Sequence, residues 1–330
     1  MDIKIRNYRS EDLDQLVYLV RATSDADWSP AVIRSDLEQR LSRPCCDPTE
    51  DTFVAVARNG GREQVVGVHD FFPRWMRDDP VQILQGKAVV RPDYLSHGLL
   101  ERLMRRVWRR CAVHVDAAGR ERFIFQMRCT EDQTDVRETL KRLGFAVDRH
   151  LAEMERRDLR HILPPSMPEG ISIRPYRLGV DDRAWHDAFQ DAFADHWGQM
   201  VMTFDQWQHA VRHGNRDPSR HAVAWDADQV VGFCYCKMRD DVGSIRWLGV
   251  RSAWQRRGLG GALLQIGLRA VRAAGASRVL LGVDLESEGK AAALYGRKGF
   301  EITARQLVFH REFSADEVGR LLEETTGGAG

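Results

Sequence analysis

A short segment rich in glycine and arginine has the composition of a phosphate-binding turn. It reads Gln255, Arg256, Arg257, Gly258, Leu259, Gly260 and Gly261. An apolar strand ends before it at Val250, and a helix begins near Gly258 or Leu259. The start of a helix has N–H groups without partners and a positive dipole end, which suits a pyrophosphate. The glycines let phosphate oxygens approach the backbone, and the arginines add positive charge.

The same spacing is also typical of an ordinary helix start whose glycines serve packing. Two more specific nucleotide fingerprints, G-x-G-x-x-G and G-x-x-x-x-G-K-S/T, are absent from the chain. The loop alone therefore leaves phosphate binding and helix packing open. The neighbouring segments are needed to distinguish these two interpretations.

A second motif lies further along the chain. An alanine-rich helix contains Leu294-Tyr295 and ends in Gly299-Phe300, and the strand from Arg278 to Asp284 lies between it and the loop. With these features the chain resembles the GNAT acetyltransferase superfamily, whose motif Q/R-x-x-G-x-G/A stands here as residues 255–260. The resemblance covers residues 171–313 well and the first half more faintly.

The resemblance implies that acetyl-CoA is a cosubstrate. The N–H groups of Leu248 and Val250 would pair with the pantetheine arm, and the strand carrying Leu248 would splay from the strand carrying Val283 to admit the thioester. Glu288 stands where the family commonly has asparagine, so it either weakens coenzyme contacts or binds a cationic acceptor. The expected coenzyme-binding residues are Leu248, Gly249, Val250, Gln255, Arg256, Arg257, Gly258, Leu259, Gly260, Gly261 and Glu288.

Acyl transfer to an amine needs a neutral amine, a polarised carbonyl and a proton for the leaving thiolate. The chain has no Ser-His-Asp or Cys-His signature, which favours direct attack in a ternary complex. Tyr295 is the candidate acid, although an ordinary aromatic packed beneath Phe300 would look the same in the sequence. By resemblance, the N–H of Val250 holds the oxyanion.

The general base is not evident. In mycothiol-type relatives a glutamate lies on the strand before the loop, and the matching residue here is Ser244, which cannot act as that base. Other carboxylates lie nearby in the sequence, and an amine of low pKa needs only a water relay. These carboxylates are Asp240, Asp241, Asp284 and Glu286.

For the acceptor, we expect contributions from Asp195, His196 and Trp197. They belong to a stretch rich in aromatic residues and methionine, in a region that often lines the acceptor pocket in this superfamily. A helix that simply faces the core would have a similar composition. His209 and His213 have the spacing of a zinc pair, but no third ligand is evident, so no metal site is expected.

The chain contains an internal repeat of domain size. The strand from Ile3 to Arg9 returns as residues 171–177, a hairpin follows in each half, and each half closes with Gly-Phe after a short helix. The repeat predicts an α+β fold of two tandem GNAT-like domains, each a mixed, mostly antiparallel sheet with helices on both faces. This tandem type is similar to mycothiol synthase.

The predicted domains are residues 1–158 and 171–330, joined by a proline-rich linker over 159–170. In the first domain Leu95, Leu100 and Leu140 stand where the second has Gln255, Gly260 and Tyr295. The first domain is therefore predicted to be degenerate, without coenzyme, and to serve as a packing platform and one wall of the acceptor site.

Composition limits the partners. The formal net charge is +1, which favours neither nucleic acid nor an anionic membrane. An arginine-rich helix after Leu99 has the composition of either a nucleic-acid contact or solvated surface, and the balanced charge favours surface. No apolar run is long enough to span a bilayer, no secretory signal is evident, and the cysteines form no C-x-x-C pair. We expect a reduced cytoplasmic protein that is a monomer or a homodimer.

The predicted function is transfer of acetyl from acetyl-CoA to the amine of a small molecule. Two alternatives stay open. One is a non-catalytic acyl-CoA sensor, which Ser244 and Glu288 favour. The other is a protein or peptide N-acetyltransferase, which an open acceptor groove would favour.

Overall fold

The computed structural model describes residues 3–24, 28–44, 46–59, 61–74, 81–174, 176–194, 196, 202–214, 217, 220–287 and 291–326. The chain divides into two compact units. Unit 1 consists of Met1–Arg149 and Gln306–Gly330, and unit 2 of His150–Arg305. Each contains a mixed sheet with helices, so the predicted α+β class is confirmed.

Unit 1 holds a sheet in the order β1-β2-β3-β4-β5-β12. Its neighbours are antiparallel except β4 and β5, which are parallel. The elements are β1 Ile3–Asn7, α1 Leu13–Thr23, α2 Pro30–Leu41, α3 Pro48–Asp51, β2 Thr52–Asn59, β3 Arg62–Arg74, β4 Gln82–Val90, α4 Pro92–Leu95, α5 Leu99–Ala117, β5 Phe123–Thr130, α6 Thr134–Arg142, β12 Glu301–Phe313 and α11 Ala315–Thr326.

Unit 2 repeats this plan in the order β7-β8-β9-β10-β11-β6, with β10 and β11 as its parallel pair. The elements are β6 Ala146–Arg156, β7 Ile171–Arg174, α7 Asp182–Ala192, α8 Phe204–Gly214, β8 Ala222–Asp226, β9 Gln229–Arg239, β10 Val242–Val250, α9 Leu259–Ala273, β11 Arg278–Asp284 and α10 Ala291–Arg297.

Strands β8 and β9 of unit 2 are buried on both faces, which explains why they read as nearly continuous apolar runs. The α9 face is defined by the core cluster that contains Cys234, Cys236 and Leu263. The α7 face is defined by the cluster that contains Phe189 and Phe233. Alternation along β9 sends neighbouring side chains to opposite faces.

The last strand of the first half of the chain, β6, pairs in the sheet of unit 2. The last strand of the second half, β12, pairs in the sheet of unit 1. Phe309 and Phe313 of β12 are buried in the core of unit 1, where the Phe313 ring stacks on Phe123 with centroids 4.4 Å apart. Residues Leu151–Arg156 of β6 pair with β11 in unit 2. Compared with the predicted ranges 1–158 and 171–330, unit 1 therefore ends earlier and gains residues 306–330. The reason is strand pairing, which a linear sequence does not display.

The predicted repeat is visible in matching hydrogen bonds. In unit 1 the N–H of Arg91 donates to the carbonyl of Val66 at 3.0 Å, and in unit 2 the N–H of Arg251 donates to Val231 at 2.9 Å. Both bonds tie the end of the strand before the loop to the neighbouring strand. The two halves therefore share one local construction.

The proline-rich segment 159–170 contains neither helix nor strand, and it packs on unit 2. Leu159 is buried in the core of the α9 face, and Ile162 packs against it. The guanidinium of Arg272 donates to the carbonyl of Arg160 at 3.1 Å. These contacts hold the segment against α9.

The described cysteines carry free thiols. Cys234 and Cys236 share a face of β9, with their Sγ atoms 3.7 Å apart, and both are fully buried. They pack against Gly267 of α9, where a Cβ would approach the Cys234 sulfur to 2.5 Å. Within the part of the chain that the structure describes, no helix is long and apolar enough to cross a membrane.

Candidate active site

Strands β10 and β11 separate along their length. Their parallel register runs from Val242 opposite Arg278 to Ile245 opposite Leu281, and the described residues form no pair beyond it. β10 continues to Val250 with its other edge on β9, after a bulge at residue 246. The opening beyond Ile245, here called the split, is the divergence that the resemblance implies for a thioester arm.

The backbone of β10 presents donors to the split. Because the N–H of Arg251 points to β9, strand alternation turns the N–H groups of Leu248 and Val250 to the opposite edge. The Gln255 amide nitrogen donates to the carbonyl of Val250 at 3.1 Å. Gln255 therefore fixes the end of the strand and leaves the Val250 N–H directed to the split.

The loop after β10 collects unpaired N–H groups. Arg256 and Gly258 both adopt left-handed backbone conformations, with φ of 60° and 86°. The first helical hydrogen bond runs from the N–H of Ala262 to the carbonyl of Gly258 at 3.2 Å. Among the described residues, no backbone acceptor exists for the N–H groups from Arg256 to Gly261. Six consecutive donors at a helix start form a strong anion-binding arrangement.

The glycines keep this surface open. A Cβ on Gly261 would meet no atom within 4 Å, and one on Gly260 would meet only the Val250 side chain at 3.7 Å. Neither position is needed for packing inside unit 2. The interpretation as helix-packing glycines is therefore disfavoured at these two positions. Gly249 differs, because a Cβ there would approach the Phe233 ring to 2.4 Å.

Two carboxylates hold the loop in place, and the sequence analysis missed both. The indole N–H of Trp254 donates to Asp226 at 2.9 Å. Asp191 at the end of α7 accepts the N–H of Ser252 at 2.8 Å and the Arg251 guanidinium at 3.2 Å. The partners are far apart in the sequence, and no local spacing signals them.

Tyr295 lies on α10, partly buried against the core of the α9 face together with Leu248 and Val250. Its ring packs edge-on to Phe300 with centroids 6.0 Å apart. Burial, with a smaller contribution from the thiol of Cys234, raises the pKa of Tyr295 to about 12. Within the described residues its hydroxyl has no hydrogen-bond partner. A phenol in this setting stays protonated at neutral pH and is free to donate.

The carboxylates considered as bases occupy different places. Asp240 and Asp241 lie at the turn between β9 and β10, at the far end of β10 from Val250. Glu286 binds the ring of His150 at 2.7 Å. Asp284 is buried; its Oδ1 accepts the N–H of Glu286 at 2.9 Å, and its Oδ2 has no partner among the described residues.

Ser244 is buried on β10, and its hydroxyl donates to the carbonyl of Lys237 at 3.3 Å. Ile245 belongs to the core of the α9 face, so Ser244 points to the α7 face. Ser244, which the sequence analysis matched to a glutamate of mycothiol-type relatives, is thus engaged with the neighbouring strand.

Part of the predicted acceptor region lies outside the described residues. This applies to Asp195 and Trp197; Glu288 of the predicted coenzyme contacts and the side chain of His213, considered for a metal, also lie outside the described residues. His196 is described; its N–H donates to the carbonyl of Phe193 at 3.1 Å, and its ring lies 5.7 Å from the Phe193 ring. It therefore lies beside the aromatic core of the α7 face.

The corresponding loop in unit 1 pairs two of its N–H groups before the helix begins and fills the space that is open in unit 2. Gly98 also has a positive φ of 67°, but its N–H donates to Leu95 at 3.1 Å, and the N–H of His97 donates to Tyr94 at 3.3 Å. Leu100, the counterpart of Gly260, is buried at 2 % exposure. The loop of unit 1 thus leaves fewer N–H groups unpaired than the loop of unit 2, and a buried leucine fills the space beside them.

In unit 1 the counterpart of Tyr295 is Leu140, which is fully buried in the core. Its carbonyl accepts the N–H of Phe145 at 3.0 Å, as the carbonyl of Tyr295 accepts the N–H of Phe300 at 3.1 Å. The architecture is kept while the hydroxyl is lost.

Comparison with known proteins agrees with this geometry. Residues 182–300 match the acetyltransferase (GNAT) family. The chain is 30 % identical over 299 residues to the mycothiol acetyltransferase of Acidothermus cellulolyticus, with 82 % of this chain and 88 % of that protein covered. The chain belongs to the GNAT acetyltransferase family. It is a GNAT-type N-acetyltransferase, and its acyl donor is an acyl-CoA.

A second relative of this N-acetyltransferase is the mycothiol acetyltransferase of Streptomyces scabiei, 30 % identical over 243 residues, with 71 % of this chain and 74 % of that protein covered. Among solved structures, a GCN5-related N-acetyltransferase from Sphaerobacter thermophilus aligns with a TM-score of 0.74 at 23 % identity, covering 94 % and 96 % of the two chains. A tandem GNAT protein from the clavulanic acid biosynthesis pathway aligns with a TM-score of 0.66 at 14 % identity, covering 94 % and 98 %. These two likenesses concern the fold, and they agree with the predicted tandem GNAT architecture.

Proposed function

We propose that this enzyme transfers the acetyl group of acetyl-CoA to the amine of a small molecule. The run of unpaired N–H groups from Arg256 to Gly261, beside the split in the sheet, carries the proposal. A pyrophosphate needs several convergent donors, and a pantetheine arm needs a strand edge that is free to pair. Both requirements are met in one unit by adjacent segments.

The coenzyme is held chiefly by backbone atoms in this proposal. The N–H groups of the loop bind the pyrophosphate, and Arg256 and Arg257, which form no ion pair within the described residues, add charge. The N–H groups of Leu248 and Val250 pair with the pantetheine amides. The open surface over Gly260 and Gly261 accommodates the phosphate oxygens.

For the chemistry we assign two groups that act directly. The N–H of Val250 stabilises the oxyanion that forms as the amine attacks the thioester carbonyl. Tyr295 then protonates the sulfur as the carbon–sulfur bond breaks. Much of the acceleration comes from holding both substrates in one ternary complex.

The choice of a small acceptor rests on the relatives. Proteins that match most of this chain are named mycothiol acetyltransferases, a name that refers to a small molecule. Aromatic side chains next to His196 on the α7 face offer a surface for a compact organic acceptor. The cytoplasmic location and the monomeric or dimeric state stay predictions.

A second candidate is a non-catalytic acyl-CoA sensor. The buried hydroxyl of Ser244, hydrogen-bonded to Lys237, favours it because the usual glutamate is missing from that position. Such a protein would keep the coenzyme loop and lack turnover.

One assay separates these candidates. The protein is incubated with acetyl-CoA carrying a labelled acetyl group and a panel of primary amines: an amino sugar, an amino-acid ester, a polyamine and a lysine peptide. We expect label in a small amine and release of free CoA thiol. Saturable CoA binding in calorimetry with no labelled product would support the sensor, and label in the peptide alone would support a peptide acetyltransferase. Absence of CoA binding would contradict all three.

A further inference from the structure

Glu153 lies on β6, within the strand that the first half of the chain contributes to unit 2. Its neighbours Ala152 and Met154 belong to the core of the α9 face. Because side chains alternate along a strand, Glu153 points to the α7 face. In the register of β6 with β11 it lies opposite Gly282.

Gly282 is the first residue of β11 beyond the last pair with β10, so it marks the beginning of the split. It is exposed, and a Cβ there would meet no atom within 4 Å. The surface over this glycine is therefore open on the α7 face. Adjacent strands are about 4.8 Å apart, so a single strand without a side chain separates Glu153 from the split.

The two faces of the split carry different groups. Tyr295 packs on the α9 face, with Leu248 and Val250. Glu153 borders the split on the α7 face, where His196 and the aromatic core lie. An acceptor that enters from the α7 face would meet Glu153 first, and the leaving sulfur would depart toward Tyr295.

Glu153 also differs from its neighbour in its partners. Glu155 on the same strand is paired with Arg278 at 3.2 Å and with Arg157 at 3.1 Å. The carboxyl group of Glu153 forms no hydrogen bond or ion pair within the described residues. The carboxyl group of Glu153 is thus not held by another side chain within the described residues.

The surroundings favour proton uptake by this carboxyl group. Burial raises the pKa of Glu153, and the nearby charge of Glu155 raises it further. Arg239 of β9 and Arg278 of β11 oppose this shift with smaller effects. A general base works best when its pKa lies closer to the working pH than that of an exposed carboxyl group.

We propose that Glu153 is the general base of this enzyme and does the work that Ser244 cannot do. It takes one proton from the acceptor ammonium, directly or through one water, and releases it to solvent. The neutral nitrogen then bonds to the carbonyl carbon, and the carbon–sulfur bond breaks with its electron pair on sulfur. Tyr295 protonates the sulfur, and the second proton lost by the nitrogen passes through solvent to the tyrosinate and restores Tyr295. This inference rests on the proposed acetyl transfer.

The assignment gives the first half of the chain a chemical role. Its loop has lost the features that hold CoA, yet its last strand delivers Glu153 to the sheet that forms the split. The retained repeat is then more than a platform, because the site in unit 2 is incomplete without β6.

The decisive experiment compares wild type with Glu153→Gln and Glu153→Asp on two amines of similar shape. Ethylamine is largely protonated at pH 7, and trifluoroethylamine is largely neutral because fluorine withdraws electrons. We expect Glu153→Gln to lower kcat/KM for ethylamine by about 100-fold and for trifluoroethylamine by less than about 3-fold, as loss of a base requires. Glu153→Asp should recover part of the activity. Equal losses for both amines, or no loss, would overturn the assignment.

A second variant guards against a folding defect. Gly282→Val adds a side chain in open space, so the fold should be kept while the path from Glu153 to the split is blocked. We expect at least about a tenfold loss on ethylamine with unchanged CoA affinity. An unchanged rate would count against the proposal. Asp284→Asn tests a second carboxyl group of this face, and selective loss on ethylamine there instead would transfer the role to Asp284.

A titration independent of turnover completes the test. In wild-type protein with carbon-13 in the glutamate carboxyl groups, one resonance should titrate with a higher midpoint pH than those of the other glutamates. The same resonance should be absent from the spectrum of Glu153→Gln. Glu155→Gln should lower that midpoint. A midpoint at the ordinary glutamate value would contradict the proposal even if no amine is acetylated. Absence of turnover with a raised midpoint would instead contradict the proposed function alone.

Discussion

Asp191 at the end of α7 accepts the backbone N–H of Ser252 at 2.8 Å. The bond joins residues 61 positions apart and is reinforced by the Arg251 guanidinium, which donates to the same carboxylate. It fixes the start of the loop that carries the unpaired N–H groups. A helix on one face of the sheet thereby sets the geometry of the proposed coenzyme loop.

Asp191→Ala should weaken coenzyme binding without removing any group that contacts it. Two charge-assisted hydrogen bonds disappear, so the loop loses part of its preorganisation. We expect the Kd for CoA in calorimetry to rise about tenfold, with kcat at saturation within about twofold. Asp187→Ala, on the exposed side of α7, is the matched control. A fall in kcat with unchanged Kd would contradict this positioning role.

Gly260→Leu should abolish coenzyme binding while the fold is kept. The substitution copies Leu100 of unit 1 at the corresponding place, and the space that the side chain would fill lies next to Val250. We expect CoA affinity to fall at least about 100-fold, because the leucine occupies the path of the phosphates. Gly319→Leu, also at an open helical position, is the control. Wild-type affinity in Gly260→Leu would exclude this loop as the phosphate site.

Tyr295→Phe should lower kcat about 100-fold with little change in KM for acetyl-CoA. The ring stays packed against Phe300, and only the proton donor is lost. Because burial raises the pKa of Tyr295 to about 12, wild-type kcat should show no loss attributable to this group below about pH 10. Steady-state rates across pH provide the measurement. An unchanged kcat would show that Tyr295 contributes only to packing and does not donate the proton.

Ser244→Ala should have almost no effect on catalysis. Within the described residues the hydroxyl donates only to the carbonyl of Lys237, so we expect kcat within about twofold and a loss of about 1 kcal/mol in the free energy of unfolding. Rates and chemical denaturation test both statements. A hundredfold fall in kcat would show that the serine takes part in proton transfer.

The stability of unit 2 should decrease in mild acid through His221. Burial lowers the pKa of His221 from 6.5 to about 4. Between these values the unfolded chain binds a proton that the folded protein excludes, so stability is full above pH 6.5 and is lost as the pH falls toward 4. The loss amounts to about 3 kcal/mol.

Tryptophan fluorescence during urea unfolding at several pH values measures this slope. His221→Phe should flatten it, because the aromatic ring stays against Tyr235 while the titrating group is gone. His161→Phe, at an exposed position, should leave the slope unchanged. An identical slope in wild type and His221→Phe would show that other groups cause the loss of stability at low pH.

The sequence by itself determined the features that are encoded in short, contiguous stretches. The loop from Gln255 to Gly261 and the helix with Tyr295 are local motifs, since helix starts and glycine turns depend on neighbouring residues. The repeat and the α+β class followed because strand and helix periods are also local. The losses at Leu100 and Leu140 were readable for the same reason.

Only the tertiary structure decided which strands pair and which distant side chains meet. The exchange of β6 and β12 involves pairing between segments far apart in the chain, and strand alternation is the same whichever partner is chosen. Asp191 and Glu153 acquire their roles through that pairing and packing. Physically, side-chain periodicity states which face is buried, whereas the identity of the neighbour depends on the whole fold.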